Sequence, residues 1–191
     1  MANNKVHRVV IHSTLSNVPV LDVVHIAASD QGLITIAFNI SLDVFVTQLT
    51  KTHKHILSAP QKELSTAGQQ LREYLSGSRR QFSLPLDLTD LTIFQISVLE
   101  AVAQVPYGQT SSYARIASSI GNPKSARAVG QVNASNPLPI IFPCHRIINS
   151  SGSLGGYSSP GGLQTKRSLL DLEGVYTEGR SNRLPTPEGF L

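Results

Sequence analysis

The chain has one cysteine, one methionine and no tryptophan; aromatics make up 6% and charged residues 15% of its 191 positions. A single cysteine excludes an internal disulfide and every zinc site built on two or more thiolates, and it favours a reducing, intracellular setting. No stretch approaches the roughly 20 apolar residues of a membrane span. Met1–Arg8 is too polar for the apolar run of a secretory signal, and no basic cluster marks a nuclear one. The expectation is a soluble intracellular protein, cytoplasm and nucleus both open. The sparse charge divides into 16 basic and 12 acidic residues, a formal +4, which permits contact with phosphate without requiring it.

What is present suffices for a core: 40% of residues are hydrophobic, enough for one large domain or two small ones. Val6–Ser13, Val18–Ala27 and Gly32–Asn39 are rich in valine and isoleucine between turn residues and read as strands of a small sheet. Asp43–Leu57 reads as helical. Lys62–Leu75 spaces Leu64, Ala67, Leu71 and Leu75 for a helix that Gly77 stops. Phe82, Leu84, Leu86 and Leu88 alternate as a strand or an extended connector. In the second half, Asp90 is a candidate cap for a helix carrying Phe94, Val98, Leu99 and Val102, ended by Pro106-Tyr107-Gly108. Ser111 or Ser112 caps a second helix, Gly121-Asn122-Pro123 turns, and a third runs from about Ser125 to Asn133. Two short helices about a tight turn make a helix-turn-helix pattern, and the pattern alone fits an ordinary helical hairpin as well. A last helix, Leu163–Leu172, carries Lys166 and Arg167 among its polar positions and stops at Gly174.

The chemistry concentrates around Cys144, in Pro143-Cys144-His145-Arg146 after the apolar run Ile140-Ile141-Phe142. A thiol is the side chain here best suited to a stable covalent bond with carbon, and a neighbouring histidine is placed to take its proton. Ser150–Gly162 has the glycine, serine and tyrosine content of a pocket-shaping loop. Blander readings fit each residue singly: a histidine packed beside a buried cysteine, a solvated Arg127, a half-buried Tyr113, Glu173 at a solvated helix end.

Set together, Gly121–Gly130 (GNPKSARAVG), Asn136–Ile147 (NPLPIIFPCHRI) and Ser150–Tyr157 (SSGSLGGY), followed by Gly161-Gly162-Leu163 and Leu170–Glu173, resemble the O6-alkylguanine-DNA alkyltransferases in order and spacing. The resemblance covers about residues 60–174. It implies an α/β N-terminal domain with an RNase H-like small sheet over residues 1–85 and a mostly α C-terminal domain with a winged helix-turn-helix over 86–174. An irregular tail over 175–191 follows. It also implies a monomer that binds double-stranded DNA containing O6-alkylguanine, flips the base, and takes the alkyl group on Cys144 once, with no cofactor and no membrane partner. His145 is then the base, Glu173 the acid that orients it through water, and Asn136 the organiser of their hydrogen bonds. Arg127 is the finger that fills the base stack, and Tyr113 crowds the 3′ phosphate. Asn122 and Ser150 contact the backbone, while Ala126, Ala128 and Gly130 allow close approach in the minor groove. Tyr157, with Ser158 or Ser159, closes over the base.

Three departures from the family pattern stand out. The stretch Tyr157–Gly162 is one residue longer than usual and holds Pro160, which restricts its shape. His7, His12, His25, His53 and His55 have no cysteine partner for the zinc that some relatives hold, so no metal is expected. Ala114 and Ala134 stand where some relatives carry polar or basic DNA contacts. Alkyltransferase-like lesion binders, which flag a lesion without removing it, usually have tryptophan where Cys144 stands, and this chain has none. A helix-turn-helix regulator with a structural cysteine leaves Asn136–Arg146 unexplained.

Overall fold

A computed structural model describes residues 9–53, 55–58 and 62–175. The expected start of the first strand (Val6–Arg8), His7 and the tail beyond Val175 lie outside them. The chain divides into two compact units, with the boundary between Asp87 and Leu88.

The first unit is a four-stranded sheet in the order β3-β2-β1-β4. β1 (Val9–Ser16), β2 (Val23–Ala28) and β3 (Leu33–Phe38) form an antiparallel meander. α1 (Leu42–Thr50), capped by Ser41, then carries the chain over to β4 (His55–Ser58), which pairs parallel with β1. The second strand starts later than its composition suggests, because Val20 takes a left-handed φ of 69° ahead of it. The helix expected over Asp43–Leu57 stops at Thr50. Its apolar end is drawn into the sheet, Ile56 opposite Val10, a case of tertiary pairing overriding local pattern. Because strand side chains alternate between faces, Val10 and Ala27 pack against Phe45 and Leu49 of α1, while Leu15 meets Gly68 of α2 (Lys62–Leu75).

The alternating stretch after α2 is an extended connector with one bridge, Leu86 beside Leu33. Leu33 N–H donates to Pro85 O and Asp87 N–H to Leu33 O, each at 2.9 Å. Gly32 permits this docking, since a Cβ there would overlap the Pro85 carbonyl. Ser29 Oγ donates to buried Asp87 at 2.6 Å, fixing the end of the unit.

In the second unit, α3 (Ile93–Ala103) is capped by Thr92 rather than Asp90: Thr92 and Gln95 form a reciprocal capping box, which satisfies two orphan donors where an aspartate two residues earlier satisfies none. Ser112 caps α4 (Tyr113–Ser119), accepting from Arg115 N–H at 3.2 Å. A single 3-10 turn, Pro123–Ser125, leads into α5 (Ala126–Ala134). Two short strands, β5 (Ser111–Ser112) and β6 (Ile147–Ile148), pair in parallel and so fasten the start of α4 to the segment just after Cys144. α6 (Gly162–Leu172) closes the unit. Its Lys166 is fully buried, against the expectation of a polar-face position, because two main-chain carbonyls receive its ammonium.

Candidate active site

Cys144 opens a single 3-10 turn, Cys144–Arg146, at the end of a tight loop in which buried Ile140 has a φ of +77°. A β-branched residue there carries about 1–3 kcal/mol of strain. Asn136 holds both ends of that loop: its Oδ1 accepts from Leu138 N–H at 3.0 Å and its Nδ2 donates to Phe142 O at 2.8 Å. The thiol is thereby presented to a cleft of about 710 Å³, whose wall includes Tyr113, Arg127, Asn133, Cys144, Ser150 and Tyr157.

Burial pushes the Cys144 thiol up, and the Asn136 amide, the Lys166 charge and the Tyr157 hydroxyl pull it only part of the way back, so it stays above its ordinary value. Lys166 Nζ donates to Ile147 O at 2.6 Å and Leu154 O at 2.5 Å, and burial lowers its pKa to about 8. Burial and the Cys144 charge together raise Tyr113 and, more strongly, Tyr157.

Fully buried His145 meets Glu173 directly, Nε2 to Oε1 at 2.9 Å, and not through the water expected from the family pattern. The reason is the position of Glu173 just past the end of α6, where three further groups converge on its carboxylate. Arg146 Nε donates to both oxygens at 3.1 and 2.9 Å, Arg146 Nη2 donates to Oε1 at 2.8 Å, and Gly108 N–H donates to Oε2 at 3.1 Å. Gly108 has φ +77°, and a Cβ on it would stand 3.1 Å from Glu173 O, so the approach needs glycine. Arg146 also donates from Nη1 to Val105 O at 2.6 Å.

Burial pushes the Glu173 carboxyl up, but His145 and Arg146 outweigh it and hold it at about 2. Burial lowers His145, with the Glu173 contact working against that. A neutral imidazole donating from Nε2 to a carboxylate keeps its lone pair on Nδ1, the state a base requires. Both shifts give one sign for stability. A carboxyl held at about 2 against an ordinary 4.5 contributes stability that is whole above pH 4.5 and lost as pH falls toward 2. A histidine lowered below 6.5 adds a loss in the same direction that begins near that pH. Chemical denaturation from pH 7 down to pH 3 should therefore show falling stability, and a flat profile would contradict a buried His145–Glu173–Arg146 cluster.

Of the residues expected from sequence, Cys144, Tyr113, Arg127, Gly130, Ser150, Tyr157 and Ser158 line the cleft. Asn136, His145 and Glu173 form the hydrogen-bonded support described above. Asn122 and Ala128 are exposed and lie outside the cleft wall, as does half-buried Ser159. Ser158 is exposed, and its hydroxyl donates to Ala134 O at 2.7 Å, fastening the loop to α5. Ser159 lies close enough to the Tyr157 hydroxyl to work against the rise that burial causes there. Gly130 faces Tyr113, its virtual Cβ 3.9 Å from the ring. Sequence reasoning missed Arg146, Lys166 and Asn133. Arg146 carried a signal, being a charged residue inside an otherwise apolar run; a lysine or asparagine on a short helix carries none. Among the described residues no group of three or more His, Cys, Asp or Glu could hold a metal ion, and no helix is long and apolar enough to cross a membrane.

Two family descriptions match nearly the whole described chain: "6-O-methylguanine DNA methyltransferase, ribonuclease-like domain" over residues 11–88 and the DNA binding domain of the same family over 93–175. The chain belongs to the O6-alkylguanine-DNA alkyltransferase family. The constitutive methylated-DNA–protein-cysteine methyltransferase of Bacillus subtilis is 46% identical over 112 residues, 59% of this chain and 67% of that protein. A Mycobacterium tuberculosis relative of the same description is 50% identical over 109 residues, 57% of this chain and 64% of its own length. Among solved structures, the O6-methylguanine methyltransferase of M. tuberculosis superposes with a TM-score of 0.73 at 35% identity, over 89% of this chain and 96% of that one. The same organism's OGT in complex with DNA gives 0.73 at 36% identity, over 85% and 92%. As a member of this alkyltransferase family the chain repairs alkylated DNA by transferring the alkyl group to a cysteine of the protein.

Proposed function

We propose that Cys144 is the acceptor and that the substrate is O6-alkylguanine in duplex DNA, flipped out of the helix into the cleft. The observation that carries this is the position of the chain's one thiol: it lines the cleft, with Asn136, Lys166 and Tyr157 near enough to favour its thiolate against burial and the His145–Glu173–Arg146 cluster next along the chain. The thiol proton passes to His145, the thiolate sulfur attacks the alkyl carbon, and the C–O6 bond breaks with its electron pair going to guanine. The proton is returned to the guanine anion, so atoms and charge balance. Each protein molecule acts once, because the thioether formed is stable.

An O6 atom inside a base pair is out of reach of a buried thiol, so the nucleotide has to leave the stack. Arg127, exposed on α5 at the cleft, fills the gap, and Tyr113 favours rotation of the nucleotide. Asn122, Ala128, Gly130 and Ser150 serve the backbone and minor-groove contact, and Tyr157 with Ser158 and Ser159 closes over the base. We read α4, the 120–125 turn and α5 as a winged helix-turn-helix, the first unit as RNase H-like, and the acting species as a monomer. No cofactor enters the reaction.

Intact-mass spectrometry after mixing with a duplex bearing one O6-methylguanine tests this. One methyl group is expected on the peptide containing Cys144, with stoichiometric loss of the lesion. Tight lesion binding with no gain in mass would make the protein a lesion-flagging module, and a methyl group on any other peptide would remove Cys144 from the acceptor role.

A further inference from the structure

We propose that Asn133 is a specificity-determining residue of this site, its carboxamide reading the exocyclic amine and an adjacent ring nitrogen of the extruded guanine. The proposal rests on the reading of the cleft as the seat of a flipped O6-alkylguanine. Asn133 lies near the end of α5, is 8% exposed, and lines the same cleft as Cys144. Neither its Nδ2 nor its Oδ1 has a hydrogen-bond partner among the described residues. Leaving a buried polar group unmatched is costly, and native folds retain few such groups. The buried neighbours of Asn133 on the helix are Val129 and Val132, a setting that a leucine would fill without that penalty. Of the other α5 residues on the cleft wall, Gly130 and Ala134 bring no polar side chain, and Arg127 and Gln131 are exposed. Asn133 therefore supplies a donor and an acceptor from α5, where the readers inferred from sequence all belong to the 150–162 loop. Both atoms are sealed from solvent, and for a base to reach them the exposed Ser158–Ala134 hydrogen bond between loop and helix has to open.

The chemistry selects the base. Alkylation at O6 leaves guanine N1 without a proton, so its Watson–Crick edge offers N1 as acceptor beside the N2 amine as donor, with N3 as a further acceptor. One amide donor and one amide acceptor satisfy the amine and either ring nitrogen together. O4-alkylthymine presents only acceptors on that edge, and Asn133 Oδ1 stays unpaired against it. A site built to hydrogen-bond a substrate group discriminates against the analogue lacking it.

Single-turnover transfer rates to duplexes carrying O6-methylguanine or O6-methylhypoxanthine, which lacks only the amine, test the assignment in the full chain and in Asn133→Leu and Asn133→Ala. The wild-type protein should prefer guanine by about tenfold. Both variants should bring that ratio close to one, with a melting temperature unchanged or raised. A wild-type ratio near one overturns the proposal, and so does a ratio that the substitutions leave intact, whatever they do to stability. Failure of the wild-type protein to accept methyl from O6-methylguanine at all would instead remove the reading of the site on which the proposal stands.

Discussion

Replacing Glu173 by alanine is expected to abolish detectable transfer and to lower the unfolding free energy of the C-terminal unit by about 3–5 kcal/mol. The expectation follows from what its carboxylate holds together. Arg146 is buried with its guanidinium on both Glu173 oxygens, and removing the acid leaves that cation out of water without a counter-charge. The same change frees Gly108 N–H and the His145 Nε2–H from their acceptor. His145 then loses the carboxylate that fixes its tautomer and stabilises the imidazolium formed when it takes a proton. Glu173→Gln separates the two losses, because a glutamine can still accept from Arg146 and Gly108 while lacking the charge. It should recover much of the stability and little of the transfer rate. Urea denaturation paired with single-turnover transfer measures both. An alanine variant as stable as the parent would mean that the buried charges are not matched to one another in solution.

Much of the site was legible because its chemistry is local in sequence: a lone thiol, an adjacent histidine, and a glycine-rich loop within twenty residues. The supporting contacts were less legible because they join distant segments. Arg146 reaches Val105 and Glu173, Tyr107 reaches Leu172, and each pairing spans 27 to 65 residues. Nothing in the composition of α6 indicates that Lys166 turns inward, since the deciding partners are main-chain carbonyls of Ile147 and Leu154. The fold shows the same division. Helices with their own stop signals, such as Lys62–Leu75 before Gly77, emerge from spacing alone. The 43–57 stretch does not, because its apolar end joins the sheet only when the first strand is there to pair with it. At α3 the local information was sufficient: Thr92-x-x-Gln95 is a capping box in plain view, and Asp90 attracted the assignment on residue type alone.

Lys166→Met should slow transfer about ten- to a hundredfold at pH 7 and leave little difference above pH 9. Burial makes the Cys144 thiol reluctant to ionise, and the Lys166 charge is one of the groups opposing that. Removing the cation raises the thiol pKa further, so less thiolate exists at neutral pH. At alkaline pH the gap closes because Lys166, itself lowered to about 8, sheds its charge in the parent protein and no longer assists the thiol. Thiol and ammonium titrate as a pair, so the parent profile reports their joint behaviour rather than either group alone. The fold of the variant gains from losing a buried cation and loses two hydrogen bonds to carbonyls, opposing changes of similar size. Rate, more than stability, therefore distinguishes the two roles open to Lys166. The measurement is the pH dependence of single-turnover transfer from pH 6 to 10 in both proteins. Profiles displaced along the pH axis and converging at the top identify electrostatic activation of the thiol. Parallel profiles with a constant offset would reduce Lys166 to a spacer holding Ile147 and Leu154 in place, and the groups opposing the burial of the thiol would then be Asn136, Tyr157 and the local backbone.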